Sequence, residues 1–170
     1  MVEFLENHSN NCIVEAIQEP IMHPKTYNPK TGLTEWCSGA CLLIPNKIYS
    51  EIGGFDDDFF MYCEDVDLSW RVKAKGYQCY TCAEALFFHY AVDRSSRLGE
   101  MYKSATILAH KWRCDKFLSD MKQNWLKYSN IIPGDIDKFL VPIPQNNSDA
   151  VTNARPNFKN GLYFSKTMWR

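Results

Sequence analysis

Residues 53–71 constrain this 170-residue chain more than any other part of its sequence. They read GGFDDDFFMYCEDVDLSWR and place acidic and aromatic side chains side by side. The acidic residues are Asp56, Asp57, Asp58, Glu64, Asp65 and Asp67. A solvent-exposed acidic run would not also carry Phe55, Phe59, Phe60, Met61 and Tyr62. A carboxylate held against apolar groups loses solvation, and such a carboxylate can be positioned as a proton acceptor.

Composition excludes several classes of protein. With 45% hydrophobic residues the chain can bury a core, and one domain is the default expectation. The net charge of −1 argues against a nucleic-acid partner. No apolar run approaches the roughly 20 residues needed to span a membrane, and no signal peptide is recognisable. We therefore expect a cytoplasmic protein whose seven cysteines are reduced. Cys79 and Cys82 are interpreted as small core residues of a strand, not as a zinc site.

The order of predicted elements indicates an α/β fold with a mixed sheet flanked by helices. We predict the end of a helix over residues 1–8, a strand over 12–17 and a long loop over 19–35. A buried strand over 36–44 and a short helix over 45–52 follow. Because a strand comes almost at the start, we expect the chain to be a fragment that enters a larger domain midway.

The second half is predicted to be mainly helical. Residues 64–75 form an amphipathic helix in which Asp67 and Arg71 are an i, i+4 ion pair. Two short strands cover 77–81 and 85–89, and one long helix covers 98–126. Residues 129–170 are rich in proline and asparagine, which predicts an extended tail or linker.

Three groups of residues are candidates for catalytic, metal-binding or substrate-binding roles. Glu64 and Asp65 begin a predicted helix, where the helix dipole favours an ionised carboxylate; the alternative is that they only cap the helix. His89 ends an apolar strand and is a candidate metal ligand or a satisfied rim residue. Trp36 precedes the small residues at 38–40, and its indole is either a platform for a sugar ring or a buried core side chain.

The motifs in order resemble the C-terminal half of a family 2 glycosyltransferase, which has the GT-A fold. They are Trp36-Cys37-Ser38-Gly39-Ala40, Gly53-Gly54-Phe55-Asp56, Phe59-Phe60-Met61-Tyr62, Glu64-Asp65-Val66-Asp67-Leu68, Gly76-Tyr77 and His89. The match is close over residues 36–90 and loose over 1–35. It implies that residues 1–128 are the C-terminal portion of a GT-A domain, and that 129–170 are the tail.

The resemblance implies inverting transfer of a sugar from a nucleotide-sugar donor to a hydroxyl of a glycan or lipid-linked acceptor, in polysaccharide or glycan synthesis. Asp65 would be the catalytic base, with Glu64 beside it contacting the acceptor. His89 would help hold Mn²⁺ or Mg²⁺ on the donor diphosphate. The substrate would contact Trp36, Ser38, Gly39 and Ala40, and a loop carrying Arg94 and Arg97 would close over the diphosphate.

The sequence also departs from the family. No Asp-x-Asp motif precedes the matching region, so the nucleotide-binding half is absent and the chain alone is expected to be nearly inactive. Peripheral association with a membrane is compatible with a lipid-linked acceptor. Two other interpretations stay open: a non-catalytic carbohydrate-binding or assembly module, and a hydrolase with paired carboxylates.

Overall fold

The computed structural model describes residues 1–90, 97–140 and 147–163, with residues 147 and 148 described by their backbone only. The chain begins with helix α1 (Val2–Asn7) and strand β1 (Cys12–Glu19). Strand β2 (Leu42–Leu43) and helix α2 (Asn46–Glu51) follow a long loop, and helix α3 is Glu64–Ala74. The later elements are β3 (Gln78–Phe88), α4 (Leu98–Lys111), α5 (Asp115–Tyr128) and α6 (Asn147–Ala154).

The three strands form a mixed sheet in the order β2-β1-β3, as the α/β prediction requires. The central strand β1 pairs parallel with β3 and antiparallel with β2. Every residue of β1 from Cys12 to Gln18 is buried, which is typical of a strand covered on both faces. Helices flank this sheet, an arrangement consistent with part of a GT-A fold.

Strand β3 replaces the two short strands predicted over 77–81 and 85–89. Its pairing with β1 shifts after Ala16: Ala16 lies opposite Cys82, whereas Ile17 lies opposite Leu86. The prediction of two strands was therefore wrong in number, although the interruption that it placed after residue 81 coincides with this irregularity. All seven cysteines are free, and Cys79 and Cys82 are buried on β3 as expected.

Helix α3 lies at the centre of the main core, so it is less amphipathic than predicted. Val66, Leu68, Trp70 and Val72 are all buried. Asp67 is also buried, and its carboxylate accepts hydrogen bonds from Arg71 Nε at 2.7 Å and from Trp112 Nε1 at 2.9 Å. The predicted Asp67–Arg71 ion pair is thus confirmed. Burial raises the pKa of Asp67, and Arg71 partly opposes this effect.

The single helix predicted over 98–126 is in fact two helices, α4 and α5. Arg113 between them has a left-handed backbone with φ of 55°. The Arg113 N–H donates to the His110 carbonyl at 3.2 Å, and the Cys114 N–H donates to the Ala109 carbonyl at 2.9 Å. This pair of bonds is a Schellman motif, which usually carries glycine at the left-handed position. Because arginine occupies this position here, no local pattern marks the break between the two helices.

The segment expected to be an extended tail instead packs on the core. It contains a 3₁₀ helix (Pro133–Phe139), α6 and a second 3₁₀ helix (Lys159–Leu162). Ile136, Ala154 and Leu162 are buried, and Phe158 contacts the aromatic core of α3 and α5. The proline and asparagine content of this segment breaks it into short helices but leaves enough apolar side chains to bury. Among the described residues, no helix is long and apolar enough to cross a membrane.

We expect Phe158→Ala to lower the free energy of unfolding by about 2 kcal/mol, because the half-buried ring packs on two aromatic neighbours. Its centroid lies 5.0 Å from that of Trp70 and 5.0 Å from that of Phe117. Urea unfolding measures the loss. The control is Ile132→Ala, at a side chain that is 66% exposed, which should change stability by less than about 0.5 kcal/mol. Equal stability of both variants would contradict the packing of this segment.

Candidate active site

A cavity of about 710 Å³ contains most of the predicted site. One wall is formed by the start of α3, with Glu64 and Asp65, and by Trp36 and residues 38–40. His89 lines the same cavity from the end of β3. Asp65 and His89, which are 24 positions apart in the sequence, therefore share one pocket, as the resemblance requires.

Residues 37–40 are held by side chains instead of by a neighbouring strand. The N–H of Cys37 donates to Ser69 Oγ at 2.9 Å, and that of Ser38 donates to Glu15 Oε2 at 2.5 Å. The N–H of Gly39 donates to Asp65 Oδ2 at 3.0 Å. Because these amides are already paired, the strand predicted over 36–44 shrinks to Leu42 and Leu43. The segment instead forms a short 3₁₀ turn, Gly39–Cys41.

Asp65 is the best-positioned carboxylate of the cavity. Its Oδ2 accepts the Gly39 N–H, and its Oδ1 accepts the Val66 N–H at 2.8 Å. Burial raises the pKa of Asp65 to about 6, and the neighbouring charge of Glu64 adds to that rise, whereas the two N–H groups oppose it. The side chain is therefore mostly ionised at neutral pH, yet it accepts a proton more readily than an ordinary aspartate does.

Gly39 lies directly against this carboxylate. A Cβ atom at this position would lie 3.4 Å from Asp65 Cβ and 3.8 Å from Asp65 Oδ2. A glycine therefore leaves the space in front of the carboxylate open to a ligand, where a larger side chain would begin to fill it.

The backbone before α3 is strained. Tyr62 and Cys63 both have left-handed conformations, with φ of 68° and 63°, which cost roughly 1–3 kcal/mol each for non-glycine residues. The hydroxyl of Ser104 on α4 donates to the Met61 carbonyl at 2.6 Å and holds the turn from behind. Lys111, also on α4, pairs with Asp56 and Asp58 at 2.5 Å each. Asp56 and Asp58 thus belong to the turn before α3, and neither is among the residues that line the cavity.

Glu64 and Trp36 line the cavity, and each has one buried polar atom that lacks a partner among the described residues. Within the described part of the chain, Glu64 Oε2 and Trp36 Nε1 are buried without a hydrogen-bond partner. The Trp36 side chain is only 8% exposed, and the Lys25 ammonium lies 4.8 Å from its ring centroid. One face of the indole is therefore covered, and the role of Trp36 as a sugar platform stays a prediction.

Ser38 and Ala40 line the cavity as predicted. Ser38 Oγ is 3.0 Å from Nε2 of His23, a cavity residue that the sequence analysis did not identify. The structural role of Glu15 was also not predicted from the sequence; this residue is 2% exposed and pairs with Lys25. The sequence feature that could have indicated this role is the position of Glu15 in the middle of an apolar strand, CIVEAIQE.

His89 is oriented by Gln18 of β1. Gln18 Nε2 donates to the Ile21 carbonyl at 2.7 Å, which turns Gln18 Oε1 toward His89 Nδ1 at 2.9 Å. The Nδ1 atom must then carry the proton, and Nε2 of the neutral ring keeps its lone pair. Such a second partner commonly fixes a metal-binding histidine.

The described residues do not form a complete metal site by themselves. Over 1–90, 97–140 and 147–163, no group of three or more His, Cys, Asp or Glu side chains could hold a metal ion. His89 fits the role of a single ligand, and Mn²⁺ or Mg²⁺ would need further oxygen ligands from a donor diphosphate or from other residues.

Of the two arginines predicted to contact substrate, the structure describes one. Arg94 lies outside the described residues. Arg97 is exposed immediately before α4, and its guanidinium Nη1 lies 3.3 Å from Met61 Sδ. Leu98, one position later, does line the cavity.

The chain is similar to two curated relatives over part of its length. One is the N-acetylglucosaminyl-diphospho-decaprenol L-rhamnosyltransferase of Mycobacterium tuberculosis, 34% identical over 95 residues, which are 53% of this chain and 28% of the relative. The other is rhamnosyltransferase WbbL of Escherichia coli, 33% identical over 72 residues, which are 39% of this chain and 27% of the relative. The matches thus span little more than a quarter of either relative's length. No family model and no solved structure matches the chain. Both relatives are glycosyltransferases, which supports the resemblance carried by the motifs.

We expect the side chain of Asp65 to titrate near pH 6 in carbon-detected NMR of this chain. Because its folded pKa lies above the ordinary value of 3.8, the folded state binds more protons than the unfolded state between about pH 4 and 6. The free energy of unfolding should therefore fall as pH rises through this interval. Glu64→Gln removes a nearby negative charge and should lower the midpoint. A midpoint near 3.8 in the wild type would contradict the buried geometry.

Proposed function

We propose that this chain carries the acceptor side and the catalytic base of an inverting glycosyltransferase. The observation that carries the proposal is the cavity shared by Asp65 and His89, in which Asp65 is fixed by two backbone N–H groups. Its pKa of about 6 suits a general base that works at neutral pH. The similarity to two rhamnosyltransferases supports the same class of reaction.

In the proposed reaction, the acceptor hydroxyl lies in the space left open by Gly39. Asp65 takes the hydroxyl proton while the oxygen forms a bond to the anomeric carbon of the donor. The bond from that carbon to the nucleoside diphosphate breaks on the opposite face, so the configuration inverts. Glu64 lies beside Asp65 and would contact the acceptor, and Trp36 lies along the same wall.

The donor is a nucleotide-sugar in this proposal, and a rhamnosyl donor is the first to test because both relatives described above are rhamnosyltransferases. The product would belong to cell-surface polysaccharide. Bound Mn²⁺ or Mg²⁺ would neutralise the charge of the leaving diphosphate, with His89 as one ligand. The nucleotide-binding part would lie outside this chain, since the matches cover only 28% and 27% of the relatives. We therefore expect the isolated chain to be nearly inactive, and the experiments below use the full-length transferase.

Asp65→Asn should lower transfer by at least about 10²-fold, because the amide cannot take the hydroxyl proton. The assay follows release of the nucleoside diphosphate from a panel of nucleotide-sugars, and thermal unfolding checks that the variant folds. The matched control is Asp57→Asn, at an exposed acidic residue of the neighbouring turn, which should keep wild-type turnover. In the wild type, the rate should fall tenfold per pH unit below about pH 6.

Retention of near-wild-type turnover by Asp65→Asn would refute the assignment of the base. Saccharide binding by the wild type without transfer from any donor would instead favour the carbohydrate-binding module.

His89→Ala should raise the Mn²⁺ concentration needed for half-maximal transfer by about tenfold, because one nitrogen ligand is lost. Gln18→Leu, which removes only the partner of His89 Nδ1, should have a smaller effect in the same direction. Titrations of metal against initial rate measure both. An unchanged metal requirement in His89→Ala would remove this residue from the site.

A further inference from the structure

The cavity contains a histidine that the proposed reaction does not use. His23 lines it from the long loop between β1 and β2, and the motifs of the family resemblance do not include this residue. Its Nε2 atom lies 3.0 Å from Ser38 Oγ, and its ring packs edge-on against the Trp36 indole with 5.8 Å between the centroids. Both contacts are to the wall that also carries Asp65. A titratable ring held in this way in a cavity is a candidate for a role in the chemistry there.

The loop holds His23 at this position from both sides. Two positions before it, the Ile21 carbonyl accepts a hydrogen bond from Gln18 Nε2 at 2.7 Å. Two positions after it, the Lys25 ammonium pairs with the buried Glu15 carboxylate. The Lys25 N–H also donates to the His23 carbonyl at 2.8 Å. Both anchors use groups other than the His23 side chain, so the ring can be replaced without removing them.

The Ser38 hydroxyl connects His23 to the turn that follows. Ser38 is 4% exposed and has the extended backbone of a helix N-cap, and its Oγ accepts the Ala40 N–H at 3.3 Å. A serine side chain has three staggered rotamers, and a second partner for its hydroxyl selects among them. The lone pair on Nε2 of a neutral His23 ring can accept the Ser38 proton. Both hydrogen-bonding functions of the buried hydroxyl are then satisfied in the rotamer that faces Ala40.

The turn that Ser38 begins, the 3₁₀ turn Gly39–Cys41, presents one N–H group to Asp65. Gly39 lies between Ser38 and Ala40, and its N–H donates to Asp65 Oδ2 at 3.0 Å. The hydrogen bond between Ser38 and Ala40 therefore helps to set the direction of the Gly39 N–H. A continuous series of contacts thus leads from the His23 ring to the carboxylate of the proposed base.

We propose that His23 is a positioning residue for the base, because its hydrogen bond to Ser38 fixes the turn whose Gly39 N–H holds the Asp65 carboxylate. The catalytic consequence of this inference rests on the proposed function. The positioning of Asp65 itself can be measured in the chain without any transfer reaction.

Other groups face Asp65, and the test must separate their effects from that of His23. Burial and the charge of Glu64 raise the pKa of Asp65, whereas two backbone N–H groups and the Lys25 ammonium lower it. The Cys63 thiol is adjacent to α3, and burial and the charge of Asp65 raise its pKa. The His89 ring shares the cavity. A weakened bond from the turn should raise the pKa of Asp65 above its present value of about 6.

The first test measures Asp65 in the 170-residue chain by carbon-detected NMR. His23→Phe keeps an aromatic ring but loses the hydrogen bond, so it should raise the midpoint of Asp65 by about half a pH unit or more. Hydrogen exchange at the Gly39 N–H should become about tenfold faster. His23→Gln should match the wild type in both measurements, because its amide can reach the position of Nε2. The control is Lys30→Gln, at an exposed residue of the same loop, which should change neither.

Unchanged values in His23→Phe would overturn the proposal. A rise of equal size in His23→Gln would also overturn it, because the charge of the ring and not its hydrogen bond would then act on Asp65. Thermal unfolding checks that each variant folds. If His23→Phe does not fold, His23→Asn replaces it, since the shorter amide cannot reach Ser38.

A double-mutant cycle tests whether His23 acts through Ser38. Ser38→Ala should raise the midpoint of Asp65 at least as much as His23→Phe does, and the double variant should match Ser38→Ala alone. Effects that add would show that His23 acts by a separate route, such as a displacement of Lys25, and would refute the proposal.

Kinetics of the full-length transferase separate this inference from a general loss of structure. His23→Phe should lower kcat about tenfold, because the base is less well oriented, and should move the acidic limb of the pH–rate profile to higher pH. The Mn²⁺ requirement should stay unchanged. Disruption of the whole loop would instead raise it, because Gln18 bonds both the loop and His89. A wild-type kcat in His23→Phe, or a raised Mn²⁺ requirement, would overturn the positioning role.

The two measurements also distinguish failure of this inference from failure of the proposed function. A wild-type enzyme that transfers from no donor, while His23→Phe still raises the midpoint of Asp65, would refute the glycosyltransferase function alone. Transfer by the wild type with an unchanged Asp65 midpoint in His23→Phe would refute the role of His23 alone.

Discussion

The buried carboxylate of Glu15 joins the sheet, the long loop and the wall of the cavity. It accepts hydrogen bonds from Lys25, from Thr81 Oγ1 at 2.5 Å and from the Ser38 N–H at 2.5 Å. A buried carboxylate is costly in free energy unless it is paired with a cation. Conformations that leave Lys25 in solvent are therefore disfavoured, because they leave the Glu15 carboxylate unpaired. The loop that carries Lys25 has little regular structure, and this ion pair fixes where it runs. The same ion pair also helps to fix the position of residues 36–40, because the Lys25 ammonium donates a hydrogen bond to the Trp36 carbonyl.

Asp65 serves both the fold and the proposed chemistry. Its hydrogen bond from Gly39 helps to hold the backbone of the cavity wall, and the same bond stabilises the ionised carboxylate. Burial and the charge of Glu64 act in the opposite direction and leave the pKa near 6. The left-handed backbone at Tyr62 and Cys63 immediately precedes this carboxylate and sets the direction in which α3 begins. The hydrogen bond from Ser104 on α4 to the Met61 carbonyl helps to offset the cost of that strain. The carboxylate is therefore positioned before any ligand binds.

Local sequence patterns correctly predicted the helices whose ends are marked by proline or glycine. The helix over 45–52 was bounded by Pro45 and Gly53, and α3 ended near Gly76, so both were placed within a residue or two. The strand over 36–44 failed because its N–H groups bond side chains from positions 15, 65 and 69, which no local pattern reveals. The pairing of Asp65 with His89 in one cavity came from the family resemblance, because composition and spacing alone cannot bring residues 24 positions apart together.

Helix α3 connects the cavity wall to helix α4. Asp65 at its start accepts the Gly39 N–H from that wall, and Asp67, two positions later, accepts the Trp112 Nε1–H at the end of α4. Arg71 completes this arrangement by bonding Asp67 and the Ile52 and Gly54 carbonyls. The bonds made by Asp67 and Arg71 are buried or partly buried, so they resist displacement by water. These bonds therefore tie the start of α3 to residues 38–40 and its middle to the end of α4, so the position of the Asp65 carboxylate is a consequence of the packing of α3.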